Sequence, residues 1–425
     1  MNKIKHFLKN NYWLIIGTIL SLILILLWFA SMGEYEYTSI FSSDAVGLPA
    51  MYEDIFVNGN SLQGWTLAAA PNFVPDMLLF FILNGITSNF LTATFLFSII
   101  QYFAIIALFY LIFRKISTVS SSFFSLFIYL FSIFLLYFLV NNDFYYSFLI
   151  MSNAYHNGMF VMTLICVLLS LHFFKKESWV TLSFLFVLIA VSLPCDRLFI
   201  VAYIFPISFT LIVLLISGYD KKKILKLAIC CILGYLLGMV ILDKFKYNPV
   251  FQIDKPHQHF TIDAITNSWN ELSSQMKTYL FEISFKSLTI ILSILTYIWT
   301  IYYCLTTFIA IKRKKIEISS LFIFQLFVLF FTPILFFAPV INGNYFDWAV
   351  IRYNYFVFVV LLFNLVLFAN HYITKQKLLT IELNSLFSIS LTVFLLWNIG
   401  KMDFISIHHH IITMLMGPDQ LSIGI

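Results

Sequence analysis

Several places in this sequence set groups suited to acid–base or ionic chemistry against long apolar runs. They are Asp44 in "SSDA", the pair Glu53-Asp54, Asp76 in "PNFVPDMLLFF", His156 in "SNAYHNG", Asp196-Arg197 in "PCDRLF" and Arg352-Tyr353 in "NYFDWAVIRYNYF". A carboxylate or imidazole held against a hydroxyl takes its proton as the hydroxyl attacks. An arginine, planar and permanently charged, grips a phosphate through two parallel hydrogen bonds and stabilises it as it departs. These groups do such work only if the elements between them bring them to one place.

Those elements are apolar to a degree that no soluble core accommodates. With 61% hydrophobic and 11% charged residues, 50 of them phenylalanine, the chain has too little polar surface to cover itself in water. Runs long enough to cross a bilayer recur along its whole length. We expect an all-α, polytopic integral membrane protein forming a single domain over residues 1–425. Spans are expected at about 13–30, 90–113, 118–140, 157–174, 179–194, 198–217, 224–242, 287–311, 318–338, 353–370 and 378–397, about 11 crossings in all. The run from Trp13 to Phe29 is long, and Met32 spoils a cleavage pattern after Ala30, so it reads as a retained span.

Charge orients this bundle. With the N-terminus cytoplasmic, 17 Lys and Arg fall on inner segments and 8 on outer ones, while 16 of the 20 Asp and Glu lie outside. The positive-inside rule gives an N-in, C-out chain, in a cell inner (plasma) membrane. The long outer segments are then 31–89, 243–286 and 339–352, with a tail from about 398. Residues 72–87 are apolar but short. Making them a full span would reverse every later loop and destroy the charge asymmetry. They read as a juxtamembrane helix at the outer interface, with Pro75 in its first turn and Asp76 at the positive end of its dipole.

The outer location of the polar groups suggests one reaction. A sugar attached through its anomeric carbon to a lipid phosphate already has a good leaving group, so transfer needs a base and a cation but no strong acid. Asp44 is the candidate base and Arg352 the candidate phosphate ligand. Trp65, Tyr155, Tyr345 and Trp348 are suited to stacking on sugars or anchoring the interface.

The order of features here resembles the first outer loop of the GT-C superfamily of polytopic membrane glycosyltransferases: a short basic N-terminus, one span, SSDA, a stretch with NGN and Trp, PNFVPDMLLFF, then a span ending in Arg-Lys. Arg352-Tyr353 at a span entrance resembles that superfamily's late outer-loop arginine. The resemblance implies a polyprenyl-phosphate-linked sugar donor, a glycan, lipid or protein acceptor, inverting transfer, Asp44 as catalytic base and Arg352 with Tyr353 on the donor phosphate. Asp76, His156, Asp196 and Arg197 would line the substrate pocket. Ala45 stands where a second acidic residue usually follows the first, and Glu53 and Asp54 are the alternative bases.

Blander roles stand beside these. Asp44 would be a solvated loop carboxylate, Arg352 a snorkelling anchor, Asp76 a helix-terminus residue and His156 an interfacial hydrogen-bonding group; Asp196 and Arg197 would pair with each other in a tight turn. No nucleotide-binding glycine motif or H-E-x-x-H is present, and the inner loops are too short for a nucleotide domain. Nucleic acid is not an expected partner; membrane lipids are. The five cysteines have no ligand spacing, and His408, His409 and His410 are consecutive, so they point in different directions on a helix. No metal or other cofactor is expected. The spans hold almost no ionisable residue away from their ends, which counts against an ion-coupled carrier. A flippase of a lipid-linked glycan and a non-catalytic scaffold acting through 243–286 are the rival functions.

Overall fold

The computed structural model describes residues 2–30, 43–117, 124–140, 156–248, 250–254, 260–281, 285–345, 351–373, 382–386, 388–390, 392 and 393. The chain is overwhelmingly helical. Six helices among the described residues are long and apolar enough to cross a membrane: Phe90–Ile116, Asn157–Lys175, Ile200–Ser217, Lys221–Lys246, Ser287–Lys312 and Ser320–Ile341. Shorter apolar helical stretches cover Asn11–Leu26, Phe73–Thr87, Trp179–Cys195 and Tyr355–Asn370. Half of the last expected span, 378–397, lies outside the described residues.

In chain order the helices are α1 (Asn2–Ala30), α2 (Ser43–Tyr52), α3 (Leu78–Thr87), α4 (Phe90–Ile116), α5 (Phe124–Val140), α6 (Asn157–Lys175), α7 (Trp179–Cys195), α8 (Phe205–Ser217), α9 (Lys221–Lys246), α10 (Ile262–Phe281), α11 (Phe285–Lys312), α12 (Ser320–Ile341) and α13 (Ile351–Ile373). Wide, π-helical turns at Glu53–Val57, Phe73–Met77 and Ile200–Ile204 lead out of α2 and into α3 and α8. Side-chain caps fix several starts: Asn89 accepts from the N–H groups of Leu91 and Thr92, Ser178 from Thr181, Asp220 from Lys222 and Lys223, and Ser319 from Phe322. Each cap satisfies donors that would otherwise be orphaned at a helix end.

The core is largely aromatic. Phe109, Phe127, Phe324 and Phe363 meet across α4, α5, α12 and α13, with Phe109 and Phe363 centroids 4.6 Å apart. Polar groups inside this core pair with one another. Asn364 on α13 donates to Thr300 Oγ1 on α11 at 2.7 Å and to Gln325 Oε1 on α12 at 3.0 Å, and all three residues are fully buried. Helices α7 and α9 pack closely where Gly234 and Gly238 lie against Ile189, Ala190 and Leu193; a Cβ on Gly238 would stand 3.1 Å from the Ala190 carbonyl oxygen. This G-x-x-x-G spacing is the small-residue stripe that lets two helix backbones touch in a membrane.

The two ends of the body differ in chemistry. At one end Lys115 Nζ lies 2.8 Å from His172 Nδ1, Lys223 donates to the Phe174 carbonyl, Lys226 pairs with Glu177, and Lys312 donates to the Ile216 carbonyl. These basic groups cover the C-termini of α6 and α8, as helix dipoles favour. The opposite end carries the acidic loops. There residues 43–87 have their own small core, in which Leu48 and Met51 of α2 meet Leu67, Met77, Phe80 and Leu83, joined by Phe251 from the segment after α9. A two-residue parallel pairing of β1 (Thr66–Leu67) with β2 (Gln252–Ile253) ties the two loops together.

The segment 243–286, expected as a long outer loop, contains β2 and all of α10. Ser268 and Leu272 of α10 are buried, and Leu272 packs with Val340 and Tyr345 at the end of α12. Tyr345 also donates from its hydroxyl to Gln275 Oε1 at 2.9 Å, so it is a packing residue of this joint.

Candidate functional site

Three separate segments deliver polar side chains to one place at the acidic end. The first is the turn before α3. Asn72 has a left-handed backbone (φ 52°), and its N–H donates to the Cys195 carbonyl at 3.1 Å, docking the turn on the end of α7. Asp76 follows four residues later and is 1% exposed. The expected role of Asp76 at the start of a helix holds in outline, but the α-helix proper begins at Leu78 and Asp76 sits in the wide turn preceding it.

The second segment is the start of α6. His156 is held at φ 64°, a backbone region uncommon for residues with a Cβ. Its Nδ1 lies 2.5 Å from Asp196 Oδ2, and the ring is half-buried to buried. Gly158, two residues on, lies directly against Asp76 and Pro75. The third segment is the end of α7, where Asp196 is 4% exposed and its Oδ1 accepts the Leu198 N–H at 2.9 Å.

Asp196 therefore pairs with His156, and not with Arg197 as a tight turn would have it. Among the described residues Arg197 has no ion pair, and its Nε is buried without a hydrogen-bond partner. Burial pulls the Arg197 guanidinium below its ordinary range, while the negative charges of Asp243 and Asp196 oppose that shift. Asp76 moves the other way. Burial first, then the charge of Asp196, pushes its carboxyl up to about 7, against the opposing effects of the Gly158 N–H and of His156.

A fourth element reaches the cluster from α13. The hydroxyl of Tyr355 donates to Asn157 Oδ1 in the first turn of α6, and both residues are buried. Arg352 and Tyr353 belong to the first turn of α13, three and two residues ahead of Tyr355; their side chains lie outside the described residues. Asp44 is in the first turn of α2, and its side chain likewise lies outside them. The backbone of α2 is nevertheless tied to the cluster, because Leu48 and Met51 share a core with Met77, the neighbour of Asp76.

Glu53 and Asp54, the alternative bases, are placed differently. Glu53 is exposed. Asp54 accepts from Asn60 Nδ2 at 2.7 Å and from Trp65 Nε1 at 2.8 Å, and these bonds hold its carboxyl below the ordinary value. Asp54 and Trp65 thus pin the 58–65 loop to itself. Tyr155, Trp348 and the three histidines at 408–410 lie outside the described residues. Among the described residues no three His, Cys, Asp or Glu side chains are grouped to hold a metal ion.

Gly158 and Tyr355 are the members of the cluster that sequence reasoning missed. Gly158 ends the "HNG" string, which reads as a turn, and nothing in the string shows that the missing Cβ makes room for a carboxylate. Tyr355 stands among many aromatics of a span entrance. Chemically, the arrangement offers an imidazole oriented by a carboxylate, a second carboxyl beside them and a half-buried guanidinium. Comparison of the chain with protein-family models, with curated proteins and with solved structures gave no match.

Proposed function

We propose that this chain is a membrane glycosyltransferase that moves a sugar from a polyprenyl-phosphate-linked donor to an acceptor at the extracytoplasmic face. In this reading Asp44 is the base, Arg352 with Tyr353 holds the donor phosphate, and Asp76, His156, Asp196 and Arg197 line the pocket. The observation that carries it is the meeting of His156 with Asp196 beside Asp76, from segments 80 and 40 residues apart, at the end of the body to which α13 brings the turn bearing Arg352. The eleven-span, N-in threading belongs to the same proposal. It is supported by the gathering of Lys115, Lys223, Lys226 and Lys312 at the opposite end.

The test is binding and turnover of a synthetic short-chain polyprenyl-phosphate sugar by the detergent-purified chain. Wild type binds and transfers, Arg352→Ala loses binding, and Asp44→Asn binds without transfer. A buried titratable cluster is also what an ion-coupled carrier of a lipid-linked glycan would need. That second reading gains if the donor moves across a vesicle membrane with no product bond formed. Failure of the donor to bind, with both variants behaving as wild type, removes the transferase reading.

A further inference from the structure

Asp76 is 1% exposed, and among the described residues its Oδ1 has no hydrogen-bond partner. A carboxylate oxygen in that condition is costly unless a cation or a proton neutralises it. Space decides between them. The first turn of α6 lies so close to the carboxyl that a Cβ on Gly158 would stand 2.3 Å from Oδ1 and 2.7 Å from Cγ, and 2.7 Å from Cδ of Pro75. On the side of Gly158 a metal ion or a water enters only by moving the backbone. A proton enters without disturbing it.

Charge balance points the same way. Among the described residues, the titratable groups that Asp76 meets are His156 from α6, Cys195 and Asp196 from the end of α7, and Tyr355 from α13. Arg197 comes next in the chain and feels Asp196 and Asp243. Two carboxylates and one imidazole hold at most one positive charge against two negative ones. With Asp76 ionised, that buried trio is net negative whatever the state of His156; with Asp76 protonated, neutrality is within reach.

We infer that Asp76, beside the His156–Asp196 pair, is a buried proton-binding site at the joint between the first outer loop and the helical body, and that losing the proton loosens this joint. Once ionised, the carboxylate has the Gly158 N–H to favour it but needs further donors or water, and on the side of Gly158 the contact leaves room for none. The turn 73–77 and the start of α6 must then draw apart. The rise of the Asp76 carboxyl to about 7 puts the change within a physiological range. The proton site is independent of the transferase reading, since it requires no donor.

The experiment is difference infrared spectroscopy of the full chain in detergent, labelled with carboxyl-¹³C aspartate. A protonated carboxyl C=O band is expected at about pH 6, fading by about pH 8, and absent in Asp76→Asn. Asp196→Asn lowers the midpoint by removing a like charge, and His156→Gln raises it by removing a group that favours ionisation. Absence of the band at about pH 6 in wild type, or a midpoint unmoved by both neighbouring variants, overturns the site. These two variants keep Asp76 and carry the test if Asp76→Asn does not fold. The loosening is read separately, as the rate of maleimide modification of Cys195, followed by peptide mass spectrometry. Cys195 is 4% exposed and sits at the joint. At about pH 8 it should react several-fold faster in wild type than in Asp76→Asn, even though the negative charge of Asp76 by itself disfavours the Cys195 thiolate in wild type. Equal rates overturn the loosening.

Discussion

A Cβ placed on Gly158 would stand 2.3 Å from Oδ1 of Asp76, so the first turn of α6 and the turn before α3 touch with nothing between them. Gly158→Ala must move one or the other, at a cost of about 1–3 kcal/mol by analogy with overpacked cores. Gly47 in α2 has no atom within 4 Å of its notional Cβ. Gly47→Ala should therefore be neutral or stabilising, by up to about 1 kcal/mol of helix propensity. Thermal unfolding of both variants in detergent checks the contrast, and equal midpoints would show that the Gly158 contact is slack.

The raised carboxyl of Asp76 has a defined consequence for stability. Between its ordinary value of 3.8 and about 7, the folded chain keeps a proton that the unfolded chain has lost. Stability from this group is complete below that window and is lost as pH rises through about 7. Asp76→Asn should therefore flatten the pH dependence and be the more stable form above that range, by on the order of a few kcal/mol at most. Parallel melting curves for the two proteins across pH would contradict this.

The buried triad of Thr300, Gln325 and Asn364 joins three helices. Asn364→Leu leaves Gln325 without its partner in an apolar setting and should cost about 1–2 kcal/mol. Replacing Gln325 by Leu in the same chain should recover part of that loss, since an all-apolar contact has no orphaned group. A double-mutant cycle measures the coupling; strict additivity would mean that the two side chains act independently.

Gly238 brings α9 against the backbone of α7, 3.1 Å from the Ala190 carbonyl oxygen by its notional Cβ. Gly238→Leu should force the helices apart and lower stability by about 1–3 kcal/mol. Ile232 is more than half exposed on the outer face of the same helix, so Ile232→Leu serves as the control and should leave the melting midpoint unchanged.

The sequence by itself determined the helical character of the chain, the presence of helices apolar enough to cross a membrane and most helix positions, because apolar composition and run length are local properties. It placed α4 at Phe90 and α6 at Asn157 within a residue, and it grouped Asp76, His156, Asp196 and Arg197 by depth alone. Helix α10 went unread inside an expected loop. Its apolar positions Ile265, Leu272 and Met276 are spaced for a helix, but they are diluted by the polar residues that a surface helix carries.

Only the tertiary structure decided which polar groups meet. Asp196 had a neighbour in sequence, Arg197, and chose His156, 40 residues away, because the ends of α6 and α7 pack side by side. Asp54, a candidate base by type, turned inward to hold Asn60 and Trp65. The burial of Asp76 likewise depends on a glycine 82 positions later in the chain. Burial and pairing are properties of the space between segments, and one-dimensional spacing carries no measure of it.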